Sequence, residues 1–188
     1  MKTWDHPELS RFVLTETGWS GICSMPSSKA FRVSRPAKSR LKIEFEAEID
    51  SEDLPKSGEI SIAKRVIKNE ASLAKKLIRA LFDDLNRSGL DFEMWWRGDT
   101  QTILEFMDEN MRLKFDLCVE GDIRKLIGSP SVWIRPKVDC YKKQCPVILF
   151  EAAFDPEHGL GVLTDGSNVI GNGYQMSASP FLKYQYPG

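Results

Sequence analysis

The sequence predicts an α+β fold, a single domain over residues 1–188 built on a mainly antiparallel, bent sheet with a helical pair packed on one face. Three observations lead there. Residues 41–49 alternate apolar and charged side chains with period two. Residues 60–85 carry apolar stripes at helical spacing. The C-terminal half holds a series of short strand patterns separated by turn residues, without the strand–helix–strand repetition of a parallel α/β fold.

Residues 12–23 read as a hairpin with Thr17-Gly18 near its turn, and Met25–Ser28 as a loop. Phe31–Val33 predicts a further strand running up to Pro36, with arginine facing water. The clearest strand is Leu41–Ile49. Leu41, Ile43, Phe45, Ala47 and Ile49 fall on one face, and Lys42, Glu44, Glu46 and Glu48 on the other. Asp50–Gly58, with Pro55 inside it, is a linker. Ile60, Ala63, Val66 and Ile67 then form one helical stripe, and Leu73, Ala74, Leu77, Ile78, Leu81 and Leu85 a second. Asn69 between them predicts a break, its side chain capping the second helix. That helix runs to about Arg87 and stops at Ser88-Gly89, where glycine takes the left-handed conformation cheaply.

Thr102–Met107 predicts a strand closed by the polar turn Asp108-Glu109-Asn110. Met111, Leu113, Phe115 and Leu117 alternate through Val119 as another. Val132–Val138, limited by Pro136, follows. Val147–Phe154 is strongly apolar and is expected at the centre of the sheet. Gly161–Leu163 and Val169-Ile170 form the last hairpin around Thr164–Ser167, with Asp165-Gly166 as a two-residue turn. Nothing after Tyr174 is periodic.

Bulk properties narrow the function. A chain of 188 residues, 41% hydrophobic and 28% charged, buries a core without metals or disulfides. Its 26 basic and 27 acidic residues leave a net charge of −1. The basic excess of a nucleic-acid binder is missing, so no nucleic-acid partner is expected. Lys64-Arg65, Lys68, Lys75-Lys76 and Arg79 read as a solvated helix face. No apolar run reaches membrane-spanning length, and no apolar signal segment follows Met1. The expectation is a cytoplasmic chain with no membrane partner. Cys23, Cys118, Cys140 and Cys145 form no CxxC pair, which argues against a zinc site. Neither a cofactor nor a metal is expected.

Only two histidines occur, and one lies in the densest motif, Asp155-Pro156-Glu157-His158-Gly159-Leu160-Gly161. Pro156 favours a turn start, Asp155 accepts turn N–H bonds, and Gly159 and Gly161 allow close backbone approach. Together with Asp165 and Gly166 these residues read first as structural turns. The competing reading is a divalent-metal or small-ligand enzyme centred on Asp155, Glu157 and His158. No fourth ligand is specified, and no nucleophile motif or phosphate loop accompanies His158. Gly171-Asn172-Gly173-Tyr174 lacks the context of a dinucleotide fingerprint. Trp95-Trp96-Arg97 is the second cluster. Tryptophan and arginine are typical anchors of protein interfaces, although neighbouring tryptophans are more often covered by their own chain. Glu44, Glu46 and Glu48 form an acidic strand face suited to a basic partner.

The block Phe154–Gly166, the opening His6-Pro7-Glu8-Leu9 with Trp19-Ser20-Gly21, and the helical middle around Asn69-Glu70 resemble, as short islands, a loose group of uncharacterised bacterial proteins. Some members of that group are regarded as toxin-immunity-like. The resemblance implies a small α+β domain that is not an established enzyme, and it carries over no catalytic residue.

The motif inventory favours binding over catalysis. The expected function is a non-enzymatic protein-binding domain, of the type that neutralises a bacterial toxin by occlusion. Its candidate contacts are Trp95, Trp96, Arg97, Glu44, Glu46, Glu48 and the His158 loop. A structural homo-oligomer, with Trp95 or Trp96 buried across a symmetry axis, is the remaining alternative.

Overall fold

The structure, a computed structural model, describes residues 1–33, 38–86, 100–135, 145–153, 155–181 and 184. Among the described residues nine strands form one sheet in chain order. They are β1 (Thr3–Asp5), β2 (Arg11–Thr15), β3 (Gly18–Ser24), β4 (Arg40–Glu46), β5 (Ile127–Ile134), β6 (Val147–Ala152), β7 (Leu160–Thr164), β8 (Val169–Gly173) and β9 (Ser179–Pro180). Every neighbouring pair is antiparallel except β4 and β5, which run parallel. The connection between those two carries α1 (Ser57–Lys68), α2 (Glu70–Leu85), α3 (Thr100–Glu109) and a 3-10 turn at Glu120–Lys125. The fold is thus mixed α+β, with a large, mostly antiparallel sheet and a few helices.

Strand alternation builds the main core. Leu41, Ile43 and Phe45 of β4 are buried. They meet Cys23, Gly21 and Trp19 of β3 on one side. On the other side Ile43 pairs with Val132 and Phe45 with Ile134. Trp4, Phe12, Trp19 and Phe45 form an aromatic group with ring centroids 5.1 to 6.1 Å apart. Such contacts add to simple area burial because ring edges meet ring faces. Leu73, Leu77, Leu81 and Leu85 recur every four residues along α2, and all four are buried in the same cluster. Ala63 and Val66 of α1, three residues apart, are buried in that cluster too. Alternate residues of β6 and β7, Val147 and Leu163, enter a second, smaller cluster with Cys145, Ile170 and Ala178. A buried polar contact ties α2 to β8, where the Asn172 amide donates to the Asp84 carboxylate at 3.4 Å.

The helical break falls at Asn69 as predicted, but Asn69 makes no side-chain cap. Its amide instead donates to the Gly166 carbonyl and the Ser167 hydroxyl, each at 3.0 Å. A distant loop outcompetes the local cap. The predicted strand over Thr102–Met107 is part of α3: Ile103 and Met107, four residues apart, are buried together. Residues 111–119 keep their alternation, with Met111, Leu113, Phe115 and Leu117 half-buried against the core, yet among the described residues no strand pairs with them. Period two there reports an extended chain lying on the core, not a sheet member. The strand predicted at Phe31–Val33 reduces to an isolated bridge at Arg32, whose N–H donates to the Arg124 carbonyl at 2.7 Å. The last hairpin turns over residues 165–168 rather than two, because the Asp165 N–H pairs with the Asn168 carbonyl and Thr164 with Val169. The predicted helix stop at Ser88-Gly89 and the end of the Val132–Val138 strand lie outside the described residues.

Leu81 is fully buried between helix and sheet. Leu81→Ala is expected to lower unfolding free energy in urea by about 3 kcal/mol, the transfer loss plus the cavity left behind.

Candidate functional site

β4 stops at Glu46 because its neighbours stop. Glu46 pairs with Gly18, the first residue of β3, and Phe45 pairs with Ile134, the last of β5. Gly18 is required here: at φ 134, an added Cβ would lie 2.0 Å from the Phe45 carbonyl oxygen. Ala47 makes one more backbone bond, to the Thr17 carbonyl at 3.1 Å. The chain then turns, with the Ser51 N–H donating to the Glu48 carbonyl at 2.9 Å and Asp50 at φ 64. Aspartate enters that left-handed region more readily than most residues. The Asp53 N–H donates to the Ser51 hydroxyl at 3.2 Å. The buried Trp19 indole donates to the Asp53 carbonyl at 2.8 Å and pins the loop to the sheet. The Lys56 N–H donates to the Glu59 carboxylate at 2.6 Å, which satisfies an otherwise orphaned donor where α1 begins.

A pocket of 420 Å³ opens between this loop, the end of β4 and the start of α1. Trp19, Phe45 and Ala47 line it on the apolar side, and Glu46, Glu48, Asp53 and Glu59 supply acids, with Lys56 beside them. Residues 44–53 contain six acids and no cation. Two of the six are neutralised: Glu44 by Lys42 at 2.6 Å and Glu52 by Lys2 at 2.8 Å. Glu46, Glu48, Asp50 and Asp53 make no ion pair among the described residues. The same loop exposes two large apolar side chains, Ile49 at 90% and Leu54 at 54%.

The two strand glutamates differ electrostatically. Burial pushes the Glu44 carboxyl up, but hydrogen bonds from Lys42 and Thr17 outweigh it and hold the group below its ordinary value. Burial also pushes Glu46 up. The Arg135 charge opposes that shift without cancelling it and the Glu44 charge adds to it, so Glu46 stays raised. Glu44 is therefore committed to the sheet, and the predicted acidic face is displaced toward the loop. Glu48 lies beyond β4 rather than on it, and Ile49, expected on the core face, is solvent-exposed.

The His158 loop connects β6 to β7. Asp155 is buried, and its carboxylate accepts from the His158 N–H at 3.3 Å and faces His158 Nδ1 at 2.9 Å. The Gly159 N–H donates to the Asp155 carbonyl at 2.9 Å, with Gly159 at φ 56. The imidazole packs on Tyr174 with ring centroids 5.0 Å apart. Asp155 organises its own turn here. Pro156 and Glu157 are exposed, and Gly161 lies within β7. Among the described residues no group of three or more histidine, cysteine or acidic side chains is placed to hold a metal ion. Asp155, Glu157 and His158 therefore do not converge as a ligand set.

The Asp165-Gly166 loop is clamped from the helices. The Asp165 carboxylate accepts the Ser167 and Asn168 N–H groups at 2.8 and 2.7 Å, and Lys76 donates to the Ser167 carbonyl at 2.9 Å. Burial pushes the Cys23 thiol up to about 11, which leaves it protonated and unreactive near neutrality. Trp95, Trp96, Arg97 and Cys140 lie outside the described residues. No helix among the described residues is long and apolar enough to cross a membrane.

No protein-family profile, curated protein or solved structure matches the chain.

A carboxyl whose folded-state value is raised costs stability when charged, and that cost disappears as pH falls below the ordinary value, here 4.5. Glu46→Gln is expected to raise the thermal midpoint at neutral pH, with the gain vanishing by about pH 4. A variant less stable than the native chain at pH 7 would reverse this assignment.

Proposed function

We propose that this chain is a non-enzymatic protein-binding domain that receives a basic partner at the acid-rimmed end of β4. The helical pair covers one face of a bent sheet within a single domain and serves as the scaffold. The biological role is of the toxin-immunity type: a stoichiometric complex in the cytoplasm that occludes the partner without bond chemistry. Trp95, Trp96, Arg97 and the exposed edge of His158 belong to the same reading as further contacts.

The observation that supports it most is the combination of Ile49 and Leu54, exposed, with four acids that have no ion-pair partner among the described residues. Protein interfaces place apolar anchors inside a polar rim. Acids of one sign steer a basic partner and exclude acidic ones. The Trp19 indole donating to Asp53, the Thr17 carbonyl accepting from Ala47 and the Ser51 N–H donating to Glu48 hold the loop in place before binding, which lowers the entropy cost of docking.

Three tagged baits test the reading by quantitative capture from native lysate: the native chain, Glu48→Lys with Asp53→Lys, and Trp95→Ala with Trp96→Ala. The expected result is one stoichiometric basic partner whose apparent affinity falls on the order of tenfold with the lysine bait. A partner retained by the lysine bait and lost with the tryptophan bait would move the interface away from β4. A partner retained equally by all three would remove both surfaces.

A further inference from the structure

We propose that two copies of the chain associate about a two-fold axis, the acid loop 47–54 of each seated in a groove along α1 of the other. The groove, of 840 Å³, runs along α1 from Ser57 to Lys68. Leu9, Ile60 and Ile67, all half-buried, form its apolar floor, and Lys64, Arg65 and Lys68 supply the cations. Helical spacing causes this: Ile60, Lys64, Ile67 and Lys68 recur at intervals of three and four on one side of α1.

The loop is the chemical complement of that groove. Ile49 and Leu54 match the apolar floor, and Glu48, Asp50 and Asp53 match the cations. Within the groove Lys64 is already engaged by Glu8 and Arg65 reaches the Asp165 carbonyl at 3.3 Å. Lys68 has no ion pair among the described residues, which makes it the cation most available to a second copy. The loop does not fill its own groove, because Trp19 and Thr17 tie it to the end of the sheet beside it. Loop and groove meet at the first turn of α1, where Lys56 lines one and Ser57 the other. Donor and acceptor patches placed side by side on one surface satisfy each other reciprocally across a two-fold axis, and such an interface closes at two copies.

The association shares its loop with the partner-binding reading but is measured on the purified full chain alone, so the two stand or fail separately. Sedimentation velocity across concentration, at about 50 mM and about 500 mM salt, is expected to show a monomer–dimer equilibrium that weakens with salt. Glu48→Lys and Lys68→Glu are each expected to weaken it at least about tenfold while keeping native circular dichroism. Mixing the two variants is expected to restore dimer, because each loop then faces a groove of opposite charge. A monomer at all concentrations, a dimer indifferent to both reversals, or no recovery on mixing would overturn the proposal.

Discussion

The parallel pairing of β4 with β5 holds the rest of the molecule in place. All other neighbouring strands follow one another in the chain and pair antiparallel, a local arrangement. Only β4 and β5 close the long excursion of residues 47–126, which contains every α-helix described. Closing so long a loop is entropically unfavourable, and the contact that offsets it is narrow: Ile43 against Val132 and Phe45 against Ile134, with the α2 leucines in the same buried cluster. One strand-residue slip would turn these side chains away from the core and bring Lys42, Glu44 and Trp133 in. The apolar alternation of β4 therefore sets register as well as burial.

That seam also explains where the acid loop stands. β4 cannot extend past Glu46, since β3 begins and β5 ends at the same level. The acids of residues 46–53, continuing the alternation, leave the sheet together and meet the start of α1. Trp19 serves both structures, with its ring in the aromatic core and its indole N–H on the loop carbonyl. The position of the loop thus follows from the packing of the core.

Much of this was legible in sequence. The alternation of Leu41–Phe45 and the leucine stripe of α2 announced their elements, because burial on one side enforces period two or period 3.6. Residues 102–107 predict a strand from sequence because a short apolar run does not distinguish the two periods. Residues 111–119 had the right alternation and the wrong consequence, since alternation reports facing and says nothing of a hydrogen-bonding neighbour. Asn69 was placed at the right break, but its bonds run to Gly166 and Ser167, almost a hundred positions away in sequence. The acid loop was hidden by its own regularity. Ala47 and Ile49 continue the pattern of β4, and only the lengths of β3 and β5 show that the strand has ended. Six acids in ten residues was the available signal.

The most direct test of the central claim is hydrogen exchange of the chain with and without a captured partner, read across residues 46–59. Binding is expected to slow exchange there beyond the level of the free chain. Protection confined to the Asp155–Gly159 loop or to residues 95–97, with 46–59 unchanged, would contradict it.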